Sequence, residues 1–580
     1  MNPLVRPDIQ SPERRRYAPV SGLEHKIPSG YGEANGSCPE GAIFSSLGTA
    51  RSAPPQAPLL ALLLLALFLA VFLVACGAPN NAPDFALKVG IEDMPKTLDP
   101  RYASDVYGQR ITRHLIFDSL VQHGYDMEIV PRLAERWETP DDRTWIFHLR
   151  RDVRFHDGVP FTAKDVVFTF EHLLDPATAS PFRATLVDTL EGVEALDDHT
   201  VRFTLPAPAA SFLTKIFIPI LPAHAVQAGT FGPDSADTLI GTGPYRLYDH
   251  SWVGVSLASH DEYFLGAPKT PMIVFEAVKD ENTRLLKLRK GELDLLINAF
   301  PVRALEAFEK PPLSNDYRLI EEPGISYNYL AFNLSDPKLQ SRELRQAMAH
   351  ALDVPSIITH RLQGHATPAA GLLSPANPFH EGDVPTYPHD PDRARELLDA
   401  AGLPDPDGDG PLPRLTLELK VSNNPQAVDN ARVVQAQMRE VGIELELRSF
   451  EWGTFYGDIQ AGNFQLTLMR WVGVSDPDFY YDVFHSSQAP PGGRNRGRFN
   501  DPRIDRLVEE GRVTLDLERR RAIYSEVQKI VAEELPYISL WHPNNVTVIH
   551  RRVEGYRQHP KAGFFSLREV ELPSPLPTDG

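Results

Sequence analysis

The chain has 580 residues, 42% of them hydrophobic, enough for more than one core at the usual domain size of about 100 to 200 residues. Its 58 Lys and Arg face 77 Asp and Glu, and the resulting formal charge of −19 repels nucleic acid and anionic lipid, so no nucleic-acid partner is expected. Two cysteines, Cys38 and Cys76, cannot staple a fold of this size, and without a CxxC or Cys/His cluster neither structural zinc nor any other cofactor is expected.

In chain order, the first distinctive segment is Leu59 to Ala75, seventeen apolar residues without a break, with Arg51 upstream and Cys76 closing the run. This is the pattern of a signal peptide. The run is short for a spanning helix of about 20 residues, and a polar GAPNNAPD tether follows it in place of a basic stop-transfer cluster. Leu73-Val74-Ala75-Cys76 resembles the bacterial lipobox, which implies cleavage before Cys76 and lipidation of its thiol. An uncleaved single-pass anchor is the alternative. Residues 1–58 fit a signal peptide badly and are read as a start assigned too early or as disordered, with 76–84 as the lipidated tether.

Beyond this point the pattern is that of a mixed α/β chain. Thr144 to Arg150 reads as a strand. Thr162-Ala-Lys-Asp165 is a capping box with Phe161 and Val166 at the staple positions, predicting a helix whose apolar face carries Val166, Val167, Phe170, Leu173 and Leu174. Gly241-Thr-Gly243-Pro-Tyr245 opens like a dinucleotide loop but has Arg246 at the third glycine position, so it is read as a tight turn. Leu344, Ala347, Met348, Ala351 and Leu352 follow the spacing of a buried helical stripe. Asp390-Pro391 starts a helix that Gly402 ends. A helix from about Gln426 to Val441 turns at Gly442 into the alternating strand Ile443 to Arg448, and helices starting at Pro502 and spanning Leu517 to Glu534 follow.

No GxSxG elbow, HExxH helix or GxxxxGK[ST] loop is present, which argues against hydrolase and NTPase chemistry. The acidic run Asp405-Pro-Asp407-Gly-Asp409-Gly410 lacks the bidentate Glu of a calcium loop, since Thr416 stands at its twelfth position, and is read as a solvated loop. No metal site is assigned. Trp452, Phe455, Tyr456, Trp471, Phe479, Tyr480, Tyr481 and Phe484 crowd one stretch, interleaved with glycines and with Asp476-Pro-Asp478. Flat rings with a few polar groups suit a ligand cleft. Phe455, Phe479 and Phe484 are assigned to the core.

An ordered set of motifs now resembles a known family. It comprises Thr97-Leu-Asp-Pro100, Ile116-Phe-Asp-Ser-Leu-Val121, Pro131-x-Leu-Ala-Glu-x-Trp137, Phe155-His-Asp-Gly-x-Pro-Phe-Thr-Ala-Lys-Asp-Val166, Gly241 to Tyr245, Gly291-Glu-Leu-Asp294, Leu330-Ala-Phe-Asn333 and Trp471 with Asp476-Pro-Asp478. The chain resembles the solute-binding proteins of bacterial ABC importers, in the peptide/nickel class known as family 5.

That resemblance implies an α/β, two-lobed Venus-flytrap fold with lobe I over 85–126, 240–322 and 547–580, an extra domain over 127–239, lobe II over 323–546, and crossings near Glu322-Pro323 and Asn545-Val546. It implies a non-enzymatic monomer that holds a small solute, such as an oligopeptide, between the lobes and hands it to permease and ATPase subunits at a bacterial membrane. Trp452 and Trp471 match pocket-wall positions of peptide-binding relatives, and Tyr102 is assigned to the ligand as well. The ammonium-pairing aspartate of those relatives falls on Val474, leaving Asp476 either as its substitute or as a turn residue, and the carboxylate-holding arginine has no counterpart in Ala427 to Ala431. An extracytoplasmic hydrolase on the same scaffold and a sensor that docks on a receptor are the alternatives.

Overall fold

The computed structural model describes residues 85–573 apart from 234, 236, 252, 253 and 409. The expectations for 1–58, for the apolar run 59–75, and for Cys76 and its tether therefore lie outside the described residues. No helix among the described residues is long and apolar enough to cross a membrane.

The helix signals act where the sequence puts them. The capping box starts the helix Ala163–Leu174, with the Asp165 carboxylate accepting the Thr162 N–H at 2.9 Å. Val166, Phe170 and Leu173 are buried, while Val167 and Leu174 ride the half-buried margin of the stripe. This face packs on a four-stranded antiparallel sheet in the order Ala134–Asp141, Thr144–Leu149, Thr200–Thr204, Gly192–Asp197. Asp390 caps the helix Pro391–Ala400, and Gly402 leaves it at φ +80°, a left-handed conformation that glycine adopts without strain. Helix Pro425–Glu440 connects two parallel strands, Leu415–Ser422 and Ile443–Phe450, which makes a βαβ unit with Gly442 at φ +85° in its turn.

A twelve-stranded sheet is in effect two sheets joined by one long strand, Tyr537–His550. Its first part pairs with Tyr327–Phe332, which continues through Leu466–Trp471 and Leu415–Ser422 to Ile443–Phe450. Its last part pairs with Leu295–Ile297, which leads to Ala86–Ile91, Met272–Ala277, Gly254–Ser259 and Tyr245–Ser251. A second passage between the two sheets runs through Tyr317–Pro323, antiparallel to the same long strand, then Gly324 and on into Tyr327–Phe332. Gly324 fits there because a Cβ would meet the Pro543 carbonyl oxygen at 2.5 Å. Beside it, Asn545 holds the passage by accepting from Asn298 Nδ2 at 3.0 Å and donating to the Pro560 carbonyl at 2.7 Å.

The motifs that carry the family resemblance interlock in the core. His156 donates through Nε2 to the Gly243 carbonyl (3.0 Å), while its Nδ1 accepts the Gly241 N–H (3.2 Å). Burial pushes this imidazole down to about 3, so it stays neutral and keeps that tautomer. Gly241 and Gly243 are required by close approach to the Ile116 backbone, whose carbonyl oxygen would lie 1.9 Å from a Cβ at Gly241. The Gly241 to Tyr245 segment is thus a core joint rather than an isolated turn.

Candidate functional site

Strand Leu466–Trp471 lies antiparallel to Tyr327–Phe332 with Trp471 opposite Tyr327. Side chains two apart share a face, so Tyr329 reaches Trp471 diagonally and stacks on it at 5.9 Å between centroids and 16° between planes. Tyr329 also stacks on Tyr537 at 4.3 Å. Above Trp471 sits the Arg496 guanidinium, 4.4 Å from the ring centroid and 5.2 Å from that of Tyr456, whose hydroxyl it meets at 3.2 Å. Trp452 stacks on Tyr456 at 5.4 Å and 14°. Trp452 and Trp471 therefore belong to one continuous wall with a buried arginine between them. Arg496 has no carboxylate partner among the described residues, and aromatic faces hold its charge instead.

Trp452 is 56% exposed and Trp471 half-buried. Phe455 and Phe484 are core as expected. Phe479 is not: it is half-buried, stands edge-on to Trp471 at 5.2 Å, and has Arg494 over its ring at 5.6 Å. The turn at Asp476-Pro477-Asp478 aims it there.

Val474 is a buried core residue, so nothing at that position reads an amine. Asp476 is engaged twice through Oδ1, by Arg520 at 2.8 Å and by the Asp478 N–H at 2.8 Å. The Asp476 and Arg520 side chains are 16% and 6% exposed, a nearly buried ion pair. Tyr102 is 39% exposed beside Arg101, which forks onto Asp99 at 2.6 to 3.1 Å and so fixes the Thr97 to Pro100 turn.

A cavity of about 240 Å³ lies among the helical segment 106–116, strand Val121–His123 and the 561–565 loop. Its lining carries three cations, Arg110, Arg113 and Lys561, beside the neutral imidazoles of His114 and His123. Burial lowers the Arg113 guanidinium to about 10 and, with Arg113 adding repulsion, the Lys561 ammonium to about 8. Burial likewise pushes His123 down to about 3, reinforced by Lys561, while its hydrogen bond to the Met127 carbonyl and the Asp476 charge act in the opposite sense. Sequence reasoning missed Arg496, Tyr329, Arg113 and Lys561. Only the alternation Tyr327, Tyr329 on one strand face could have pointed to part of this set.

Residues of the 127–239 segment and those of 478–512 meet directly beside the site. Ser211 Oγ donates to Asp478 Oδ2 at 3.1 Å, the Ala210 N–H donates to the Arg512 carbonyl at 2.7 Å, and Arg512 pairs with Asp478 at 3.0 Å.

The family model described as bacterial extracellular solute-binding proteins, family 5 Middle, matches residues 128–491. The chain is 31% identical over 463 residues to heme-binding protein A of Haemophilus influenzae, covering 75% of this chain and 82% of that protein. It is 29% identical over 460 residues to the dipeptide-binding protein of Escherichia coli, covering 75% and 84%. The solved structure of HbpA2 from Haemophilus parasuis superimposes with a TM-score of 0.75 at 26% identity, covering 84% of this chain and 99% of that one. These relatives are binding proteins, and the α/β periplasmic-binding-protein fold is common to them. On these matches the chain belongs to the family 5 extracellular solute-binding proteins, the solute-capturing components of bacterial ABC importers.

Proposed function

We propose that this chain captures a small, peptide-like solute between two lobes, closes on it, and presents the closed form to a permease at a bacterial membrane. In this reading lobe I is 85–126, 240–322 and 547–580, lobe II is 323–546, and 127–239 is an extra domain that closes against lobe II. Cys76 is lipidated and tethers a monomer outside the cytoplasm. The observation that carries the reading is the Trp452–Tyr456–Arg496–Trp471 wall, built beside one of two sheets that are joined, among the described residues, by two strand passages. Two narrow passages are what a hinge requires, and burial of a ligand by closure is what such hinges do.

Relatives that include a dipeptide-binding and a heme-binding protein support a cleft adaptable to several solutes. The aromatic wall favours flat contact with a ligand backbone or ring, while the engaged Asp476 disfavours recognition dominated by a free ammonium.

Native mass spectrometry of gently purified chain tests this reading. A non-covalent small solute, one per chain and released on unfolding, is expected, together with an acylated Cys76 as the first residue. A chain that carries and acquires no small molecule from a bacterial extract contradicts solute capture.

A further inference from the structure

The cavity is unusual because two of its cations, Arg113 and Lys561, lack counter-ions among the described residues. Arg113 makes no hydrogen bond or ion pair with a carboxylate among the described residues, and its guanidinium lies 4.9 Å from the Phe182 ring centroid. Lys561 is likewise unpaired among them, with its ammonium 5.5 Å from the Phe217 centroid. No carboxylate acts on either cation, and the charged group that acts on Lys561 is Arg113 itself. Both side chains keep some accessible surface because they face the cavity, yet the surrounding protein strips them of bulk water.

Other deeply placed cations have partners of their own: Arg520 pairs with Asp476, Lys420 with Asp458 at 3.0 Å, and Arg496 is held by the Trp471 and Tyr456 faces. An uncompensated pair of like charges in a low-dielectric cleft is costly. It is reasonable where a ligand completes the set.

A third group points the same way. His123 is 97% buried at its wall of the cavity, and its Nδ1 donates to the Met127 carbonyl at 2.9 Å. This bond fixes the tautomer, so Nε2 carries a bare lone pair, and that atom has no partner among the described residues. A buried lone pair on a residue that lines a cavity is satisfied if a donor in that cavity reaches it.

We propose that this cavity is an anion subsite of the solute cleft, in which Arg113 and Lys561 grip a carboxylate or phosphate of the captured molecule while His123 Nε2 accepts an adjacent N–H or O–H. The proposal rests on the solute-capture reading and narrows it: the solute is anionic at the end lodged among the 106–116 segment and the 561 loop. Arg supplies a planar fork and Lys a point charge, a pair that suits two oxygens of one group.

The test uses the full chain and three probes, glutarate, phosphate and glutaramide, the neutral diamide matched in size to glutarate, at equal ionic strength set with sodium chloride. Thermal unfolding should shift upward with glutarate or phosphate and not with glutaramide, and the larger of the two anion shifts tells carboxylate from phosphate. Arg113→Gln and Lys561→Met should each remove most of that shift, and Lys561→Met should itself raise the melting temperature without probe, since it deletes an uncompensated cation. Shifts equal for all three probes, absent for both anions, or retained in both variants overturn the subsite. If native mass spectrometry finds a bound neutral solute while both anions are inert, the subsite falls and solute capture stands.

Discussion

Removing the hydroxyl of Ser211 should loosen closure without touching the ligand wall. In the structure that hydroxyl donates at 3.1 Å to Asp478 Oδ2, and the two residues are 3% and 9% exposed. Burial raises the Asp478 carboxyl above its usual range, opposed by Arg512, so the carboxylate already has little hydration to fall back on. Hydrogen bonds to charged groups contribute about 1.5 to 3 kcal/mol, and the lower end applies here because Arg512 remains at 3.0 Å on the other oxygen. In an open form both groups are hydrated, so the loss falls on the closed form alone. Ser211→Ala should therefore lower the closed-to-open ratio about tenfold and weaken solute affinity by the same factor, provided the unliganded chain is mostly open. Calorimetry with the solute recovered from the native chain reads the affinity, and the double-mutant cycle with Asp478→Asn isolates the pair. An affinity within twofold of wild type, with no coupling in the cycle, refutes the latch.

Trp471→Ala should weaken solute binding at least tenfold, about 2 kcal/mol for a buried aromatic anchor, with circular dichroism unchanged; unaltered affinity removes Trp471 from the site. Asp476→Asn should act first on stability, lowering it by about 3 kcal/mol because Arg520 is left without its charge partner, and a melting temperature equal to wild type would mean the pair is dispensable. Asp118 gives a pH signature: burial pushes its carboxyl up to about 6 from 3.8, despite the Tyr263 hydroxyl donating at 2.9 Å. A raised folded value means that the folded state holds the proton longer, so this group's contribution falls as pH rises from about 4 to 6, by up to about 3 kcal/mol. Denaturant unfolding of wild type against Asp118→Asn should show that gap closing or reversing between pH 4 and pH 7, and a gap independent of pH rejects it.

Local signals were legible in the sequence because their physics is local. Asp165 caps its own first turn, Gly402 and Gly442 end helices at positive φ, and Pro502 starts one, all within a few residues. The motif around His156 was recognisable as a signature but not as a joint, since its partners Gly241 and Gly243 lie more than eighty positions away. The aromatic crowd from Trp452 to Phe484 was visible, and Trp471 with it, yet the order of the stack depends on Arg496, Tyr329 and Tyr537, which come from a loop and two other strands. Arg113 and Lys561 are separated by most of the chain, and no spacing rule links them. Phe479 was misjudged because aromatic content alone does not say which side of a turn a ring leaves by.

The central claim is that solute draws two lobes together about the Gly324 and Asn545 passages. Small-angle scattering of the solute-stripped chain, titrated with the small-molecule fraction of a peptide-rich bacterial medium, tests it most directly. The radius of gyration should fall on loading and return on stripping. A radius that stays the same while solute is demonstrably bound would contradict closure.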